Sequence, residues 1–276
     1  MSGPLLLIFA HPDDETFSSA GLMRAAIERG IKVTVISATR GEAGESSIPG
    51  LDDPERLGAV RETELRDAMH ELGVDDVRFL DYHDSGLAAS SQPDPLALTE
   101  IPVGVVAARL AELIRSLQPQ TIVTFGSDGI YGHPDHIHIH DAASLAVHLA
   151  ADAAWHGTDA HPWATPSVYF ATAPREELQA MAAADDGPLS WISPEWRSHL
   201  GTPTAQITHI LDLSPWAPFK EAAIRAHRTQ IAPGGPLSSM PEEARERWLS
   251  REHYVQAPLS AAPGGTSDLL ESLVAK

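Results

Sequence analysis

The chain has 276 residues, 43% of them hydrophobic and 21% charged, which is enough for one large domain with a buried core. Its formal net charge of −19 would repel phosphate backbones and anionic lipid head groups, so no nucleic-acid partner and no membrane partner is expected. The complete lack of cysteine excludes disulfides, thiolate metal sites and cysteine nucleophiles, so a tightly held metal must use His, Asp and Glu.

The first part of the chain alternates short apolar runs with longer segments of helical periodicity. A continuous apolar run is typical of a strand buried on both faces, and a glycine just past a periodic segment is typical of a helix end. The predicted elements are a strand at 5–10, a helix at 16–29, a strand at 32–37, a helix at 54–72 and a strand at 77–80.

The alternation continues into a more varied C-terminal part. The predicted elements are a helix at 102–117, a strand at 121–125, an alanine-rich helix at 135–150, later strands at 167–172 and 206–213, and a late helix at 216–230. The two later strands are expected to pair antiparallel or to lie at an edge. The pattern predicts an α/β, Rossmann-like fold, in which a mostly parallel sheet has helices on both faces and an elaborated C-terminal part.

No linker or internal repeat divides the chain, so a single domain is predicted over 1–276. Irregular structure is expected at 88–99, 231–241 and 257–267, and residues 257–276 are a candidate flexible tail. The N-terminus lacks the basic start of a signal peptide, and no apolar run reaches the roughly 20 residues that span a bilayer. A soluble cytoplasmic protein is therefore predicted, and no feature of the sequence indicates its oligomeric state.

Two clusters of histidine and aspartate follow predicted strands at the point where each strand ends. His11-Pro12-Asp13-Asp14-Glu15 follows the first strand, and Tyr131-Gly132-His133-Pro134-Asp135-His136 follows the strand at 121–125. Ligands of an open α/β sheet bind outside the carboxyl ends of its strands. Both clusters are therefore expected to face one crevice.

Three residues of these clusters form a candidate zinc site. Two imidazoles, from His11 and His136, and one carboxylate, from Asp14, make a three-ligand protein site that leaves positions open for water and substrate. Zinc in such a site lowers the pKa of a bound water towards ~7 and polarises a carbonyl group.

The remaining polar residues of the clusters suit hydrolysis. Asp13 is a candidate general base that accepts a proton from the water. His133 and Tyr131 are candidates to stabilise the oxyanion, and a protonated His133 could donate a proton to the leaving amine. Asp135 is expected to orient a histidine, with His133 as the first candidate.

Each cluster taken alone has an ordinary structural explanation. Asp13 or Asp14 could cap a helix start, and Pro134 suits a first helical turn. The occurrence of both clusters at equivalent strand ends favours a site. His138 and His140 are interpreted as helix residues rather than ligands, because no glutamate follows His136 to act as the base of a zincin helix.

At these residues the sequence resembles the LmbE/PIG-L family of zinc-dependent de-N-acetylases. The paired signature AHPDDE and GHPDH is unbroken here, at 10–15 and 132–136. Further family-like segments are Thr39-Arg40-Gly41-Glu42, Arg61-x-x-Glu64-Leu65, Asp84-Ser85-Gly86 and Ala226-His227-Arg228-Thr229-Gln230. The resemblance thus extends over most of the chain, and the tract YGHPDHIHIH is most similar to the mycothiol-pathway branch.

The resemblance implies the same metal and catalytic residues as above, and an N-acetylglucosamine-type glycoside or related small molecule as the substrate. In sugar-recognising members, the positions matching Glu45, Arg61 and Asp84 contact substrate hydroxyls. Arg61 and Asp84 are also natural salt-bridge or capping residues, so both interpretations stay open for them.

Three other functions compete with a deacetylase. A thiol-conjugate amidase would use the same residues on a cysteinyl amide. A non-haem iron oxygenase also uses two histidines and one carboxylate, but it has no use for a free Asp13 beside the metal. A non-catalytic sugar-binding module would not need Asp13 and His133. Fe²⁺ is an alternative to Zn²⁺ in the cell, because affinity alone does not decide occupancy.

Overall fold

The fold is given by a computed structural model that describes residues 3–87, 94–183, 200–231 and 240–259, together with Leu189, Arg197 and Leu270. The loops predicted at 88–99 and 231–241 lie partly outside the described residues. So does most of the stretch predicted as a tail at 257–276. No helix in the described part of the chain combines the length and apolar character needed to span a membrane.

Five parallel strands form the main part of the sheet, and their spatial order is β3-β2-β1-β4-β5. All residues of β1, β2 and β4 are buried, which explains why β1 is a continuous apolar run and why β2 and β4 contain only apolar residues, threonine and serine. The strands are β1 (Leu5–Phe9), β2 (Val33–Ser37), β3 (Asp76–Phe79), β4 (Thr121–Phe125) and β5 (Ser167–Thr172).

Helices connect these strands and form a layer on each face of the sheet. The helices are α1 (Asp14–Glu28), α2 (Pro54–Leu72), α3 (Val103–Leu117), the single turn α4 (Gly129–Gly132), α5 (Pro134–Ala151) and α6 (Arg175–Ala183). Right-handed crossovers place α1 and α2 on one face and α3 and α5 on the other. The helices predicted at 16–29, 54–72, 102–117 and 135–150 are confirmed to within a few residues, whereas α4 and α6 were not predicted.

The C-terminal part extends the sheet antiparallel to the rest. Its elements are β6 (His209–Asp212), α7 (Ala217–Ala226), α8 (Glu242–Ser250) and β7 (Arg251–Gln256). β7 pairs antiparallel with both β5 and β6, which leaves β6 at the edge. The prediction for the two later strands is confirmed: the strand within 206–213 is antiparallel and at the edge, and 167–172 pairs antiparallel with β7 on one side, although it pairs parallel with β4 on the other. β7 and α8 were not predicted.

The order of the strands creates a crevice between β1 and β4. The chain leaves β1 towards β2 on one side, and β4 lies on the other side, so the connections after these two neighbours diverge. Residues that follow β1 and β4 therefore meet at the carboxyl edge of the sheet. Both predicted clusters lie there.

Candidate active site

His11, Asp14 and His136 converge at the carboxyl ends of β1 and β4. Nδ1 of His11 lies 3.2 Å from Nε2 of His136. The Asp14 carboxylate lies against both rings, with Oδ2 3.4 Å from His11 Nδ1 and Oδ1 3.3 Å from His136 Nε2. Ligand atoms bonded at ~2.0 Å to one tetrahedral ion are about 3.3 Å apart. These spacings therefore fit a shared metal ion.

The hydrogen bonds of the two rings aim unprotonated nitrogens at that point. A carbonyl oxygen only accepts, so His136 donates its Nδ1–H to Gly129 O at 3.1 Å and keeps the lone pair on Nε2. His11 Nε2 lies 3.1 Å from Asp135 Oδ2 and 3.3 Å from Asp84 Oδ1, so it carries the proton and leaves Nδ1 free. Two lone pairs and a carboxylate that face one point repel each other unless a cation lies between them.

His133 lies beside these residues, and its contacts favour a role as a hydrogen-bond donor. Its Nδ1 accepts the backbone N–H of Asp135 at 3.1 Å, so the proton of the neutral ring is on Nε2. Burial, followed by the neighbouring His11 and His136, lowers the pKa of His133 to about 4. Nitrogens of these three histidines lie within 4.8 Å of one another. The hydrogen bond on Nδ1 nevertheless favours donation from Nε2 over metal ligation.

Asp13 has a strained backbone and a partly accessible carboxylate. Its φ of 127° and ψ of −30° lie outside the regions favoured by L-residues, a type of strain that clusters at functional sites. The side chain is 14% exposed, and Oδ2 lies 3.2 Å from Arg61 Nη2. Burial raises the pKa of Asp13 to about 7, although the Arg61 charge opposes the shift.

Arg61 is buried beneath the loop that follows β1. Nη1 donates to Gly41 O at 2.7 Å, and Nη2 donates to Pro12 O at 2.8 Å as well as facing Asp13. A Cβ at position 41 would lie 2.3 Å from Arg61 Cζ, so only glycine leaves room for the guanidinium. These contacts favour a role in holding Asp13, and the substrate contact expected of Arg61 stays a prediction.

The acidic residues of the site differ in their surroundings. The side chain of Asp84 is only 4% exposed, and its carboxylate accepts the N–H groups of Ala43 and Gly86. Its Oδ1 also lies 3.3 Å from His11 Nε2, so Asp84 supports His11 directly. Glu45 is exposed on the loop after β2. The substrate contacts expected of Asp84 and Glu45 also stay predictions.

Asp135 orients a different histidine from the one first expected. Its Oδ2 contacts His11 and accepts the Ser85 N–H at 3.0 Å, while His133 is bonded only to its backbone N–H. The side chain of Asp135 is fully buried, and its Oδ1 has no partner among the described residues. The carboxylate therefore fixes the tautomer of His11 rather than that of His133.

Tyr131 lies against the ring of His136, in the single turn α4, which has unusual backbone angles. The two ring centroids are 5.0 Å apart, and burial raises the pKa of Tyr131 above its usual range. Ile130 adopts φ 66° and Gly129 φ 59°. A Cβ on Gly129 would lie 2.9 Å from His136 Cβ, so this glycine allows the close approach of the helix start.

His140 supports the site indirectly, in agreement with its interpretation as a helix residue. Its Nδ1 donates to Phe125 O at 2.9 Å, and the Phe125 ring stacks on His136 with centroids 4.0 Å apart. Neither His138 nor His140 belongs to a metal-ligand group found among the described residues.

Sequence reasoning assigned no role to several buried residues beside the site. Glu15, Thr16 and His227 are buried and connected to one another. Glu42 accepts the backbone N–H of Asp84 at 3.1 Å. Three sequence features could have indicated these residues: the final glutamate of HPDDE, the glutamate of Thr39-Arg40-Gly41-Glu42 and the segment around His227.

Residues 6–147 match the PIG-L family, described as GlcNAc-PI de-N-acetylase. The chain is similar to the 1D-myo-inositol 2-acetamido-2-deoxy-alpha-D-glucopyranoside deacetylases of two species. That of Geodermatophilus obscurus is 34% identical, with 98% of this chain and 97% of the relative covered. That of Streptomyces griseus is 39% identical, with 91% and 82% covered.

Solved structures share the fold. The N,N'-diacetylchitobiose deacetylase of Pyrococcus horikoshii matches with a TM-score of 0.63 and 20% identity, covering 95% of this chain and 87% of that one. GalB, a 4-carboxy-2-hydroxymuconate hydratase from Pseudomonas putida, matches with a TM-score of 0.64 and 18% identity, covering 97% and 99%. The reactions of these two proteins differ, so the fold by itself does not decide the reaction.

Proposed function

The chain belongs to the PIG-L family, and on that premise we propose that it is a metal-dependent hydrolase that removes the acetyl group from an N-acetylglucosamine-type glycoside. The observation that carries the proposal is the convergence of His11 Nδ1, His136 Nε2 and the Asp14 carboxylate at 3.2 to 3.4 Å, beside the Asp13 carboxylate, which pairs with Arg61. The similarity to inositol glycoside deacetylases supports a substrate in which a polyol is linked to the amino sugar.

His11, Asp14 and His136 are the residues that would hold the metal. Zinc fits a site of two imidazoles and one carboxylate, and Fe²⁺ fits the same donors. When bound, the ion supplies a Lewis acid that polarises the amide carbonyl and makes a water more acidic. The protein maintains the ligands through the hydrogen bonds that Asp135 and Asp84 make to His11 and that Gly129 makes to His136.

Asp13 acts as the general base in this proposal. Its carboxylate is next to the ligand Asp14 in sequence, but its hydrogen-bonded partner is Arg61 rather than the ligand nitrogens. It is therefore free to take a proton from the attacking water and to return that proton to the nitrogen of the leaving amine.

His133 and Tyr131 would stabilise the oxygen of the tetrahedral intermediate. His133 Nε2–H is the free donor of its ring, because Nδ1 is engaged with the Asp135 backbone. Protonation of Nδ1 would break that bond, so the geometry supports a donor to the oxyanion over an acid for the amine. Tyr131 lies near both rings, with its centroid 5.0 Å from that of His136 and 6.1 Å from that of His133, and its hydroxyl is a second candidate donor.

The test is a substrate screen with metal-analysed protein. The protein is incubated with an N-acetylglucosaminyl inositol, with N,N'-diacetylchitobiose and with a cysteinyl amide conjugate, and both free acetate and primary amine are measured. We expect acetate and amine in equal amounts from an N-acetylglucosaminide. Cleavage of the cysteinyl amide alone would instead identify an amidase, and no product from any compound would refute the proposal.

A further inference from the structure

Glu15, the last residue of the first cluster, is fully buried and bonded through both carboxylate oxygens. Oε2 accepts the backbone N–H of Asp13 at 3.2 Å, and Oε1 accepts the hydroxyl of Thr16 at 2.5 Å. Burial of a carboxylate is unfavourable unless its oxygens accept hydrogen bonds. The contacts of both oxygens are with Asp13, Thr16 and His227, so Glu15 has no part in the chemistry described above.

The Asp13 amide that Glu15 binds belongs to the strained residue of the site. Its φ of 127° is costly for an L-residue and persists only where the surroundings impose it. The backbone oxygen of Asp13 accepts the N–H groups of Thr16 and Phe17, and its carboxylate faces Arg61. The bond to Glu15 secures the remaining polar group of Asp13, which is its amide.

A chain of hydrogen bonds continues from Glu15 to the C-terminal part of the protein. Because Thr16 donates its only hydroxyl proton to Glu15, its oxygen accepts from His227 Nε2 at 3.2 Å. His227 is fully buried just after α7, and burial lowers its pKa to about 3, so the ring is neutral. Its Nδ1 has no partner among the described residues.

The segment that carries His227 is itself held in place. Thr229 donates its N–H at 2.9 Å and its hydroxyl at 2.6 Å to the carboxylate of Glu64, which is fully buried on α2. Ser47 donates its N–H to Thr229 O at 2.7 Å and its hydroxyl to Arg228 O at 2.8 Å. The position of His227 is thus set by α2 and by the loop after β2.

We propose that Glu15 is a positioning residue, which holds the amide of Asp13 and is itself held by Thr16 and His227. The inference rests on the proposed function, in which Asp13 is the general base. It assigns a role to the segment around His227, which otherwise contacts no reacting group. Small displacements of a catalytic group are costly to the rate, so loss of this support lowers kcat rather than substrate affinity.

The first test compares Glu15→Ala, Glu15→Gln and the matched control Glu28→Ala in the metal-loaded full chain. Glu28 lies on the same helix and also accepts a hydrogen bond, from Trp216 Nε1, but it is at the far end. Glu15→Ala is expected to lower kcat by about 10- to 100-fold with KM and metal content unchanged. Glu15→Gln keeps an acceptor for the Asp13 amide and should restore most of the rate, and Glu28→Ala should match the wild type.

A second measurement does not depend on activity. Hydrogen exchange at the Asp13 amide is expected to be about 10-fold faster in Glu15→Ala and unchanged in Glu28→Ala, because the amide loses its acceptor. Thr16→Val removes the bond to His227. Like Glu15→Ala, it should lower kcat and speed up exchange at the Asp13 amide. It replaces Glu15→Ala if that variant does not fold.

Two results would overturn the inference. One is a wild-type kcat and wild-type exchange in Glu15→Ala or Thr16→Val. The other is a loss of activity that follows loss of metal, with kcat per bound metal unchanged. If the wild type hydrolyses no acetamide while exchange at Asp13 still rises in the variants, the proposed function fails and the contact between Glu15 and Asp13 stands.

Discussion

Nδ1 of His11 lies 3.2 Å from Nε2 of His136, although 125 positions separate the two residues in the sequence. Neither ring can rotate away without cost, because His11 is bonded to Asp135 and His136 to the carbonyl of Gly129. When both rings are neutral, these bonds turn two nitrogen lone pairs towards one point, which favours a cation there. The predictions below test this arrangement and the residues around it.

Replacement of His136 by Ala should remove most of the bound metal, since one of three protein ligands is lost. Metal content is measured by elemental analysis after dialysis. His148→Ala is the matched control, because His148 is an exposed histidine on the same helix and should leave the metal content unchanged. Full occupancy in His136→Ala would contradict the ligand assignment.

Asp13→Asn should retain about one equivalent of metal but lower kcat by ~10²-fold or more, because the amide keeps the shape of the side chain and cannot accept the proton. The measurement is acetate release at saturating substrate, together with metal analysis of the same sample. Loss of the metal in this variant would instead make Asp13 a ligand.

Arg61→Met should lower kcat and leave KM almost unchanged, because the guanidinium is bonded to protein oxygens that include Asp13. It should also destabilise the fold by about 2–4 kcal/mol, as the partly buried Asp13 carboxylate and two backbone oxygens lose their charged partner. Steady-state kinetics and denaturant unfolding measure the two effects. A selective rise in KM would support the substrate contact predicted from the sequence.

Gly129→Ala should destabilise the protein by about 1–3 kcal/mol and weaken metal binding, since the new Cβ would lie 2.9 Å from His136 Cβ at a φ of 59°. Gly104→Ala is the control on α3, where a Cβ meets no atom within 4 Å. It should stabilise the protein by roughly 0.5–1 kcal/mol, as alanine favours the helix. Unfolding curves and metal titrations measure both variants. Equal stability and equal metal affinity of the two would show that the close contact between position 129 and His136 does not require glycine.

The strands β1, β2 and β4 and the helices that follow them could be predicted because their signals are local. A strand covered on both faces is mostly apolar, so Leu5–Phe9 is recognisable without knowledge of its neighbours. The loops after β1 and β4 could be placed together for a similar reason, since the carboxyl ends of parallel strands share one edge. The fold class and the location of both clusters in one crevice could therefore be predicted from the sequence alone.

The tertiary structure decided which partner each buried polar residue finds. β7 was missed because its buried Glu252 makes the segment appear exposed, yet that carboxylate accepts the N–H groups of Gly21 and Leu22 and pairs with Lys220. Asp135 likewise bonds to His11 rather than to His133. A polar side chain can be buried wherever distant parts of the chain satisfy its hydrogen bonds, and no local pattern of residues records where those partners will be.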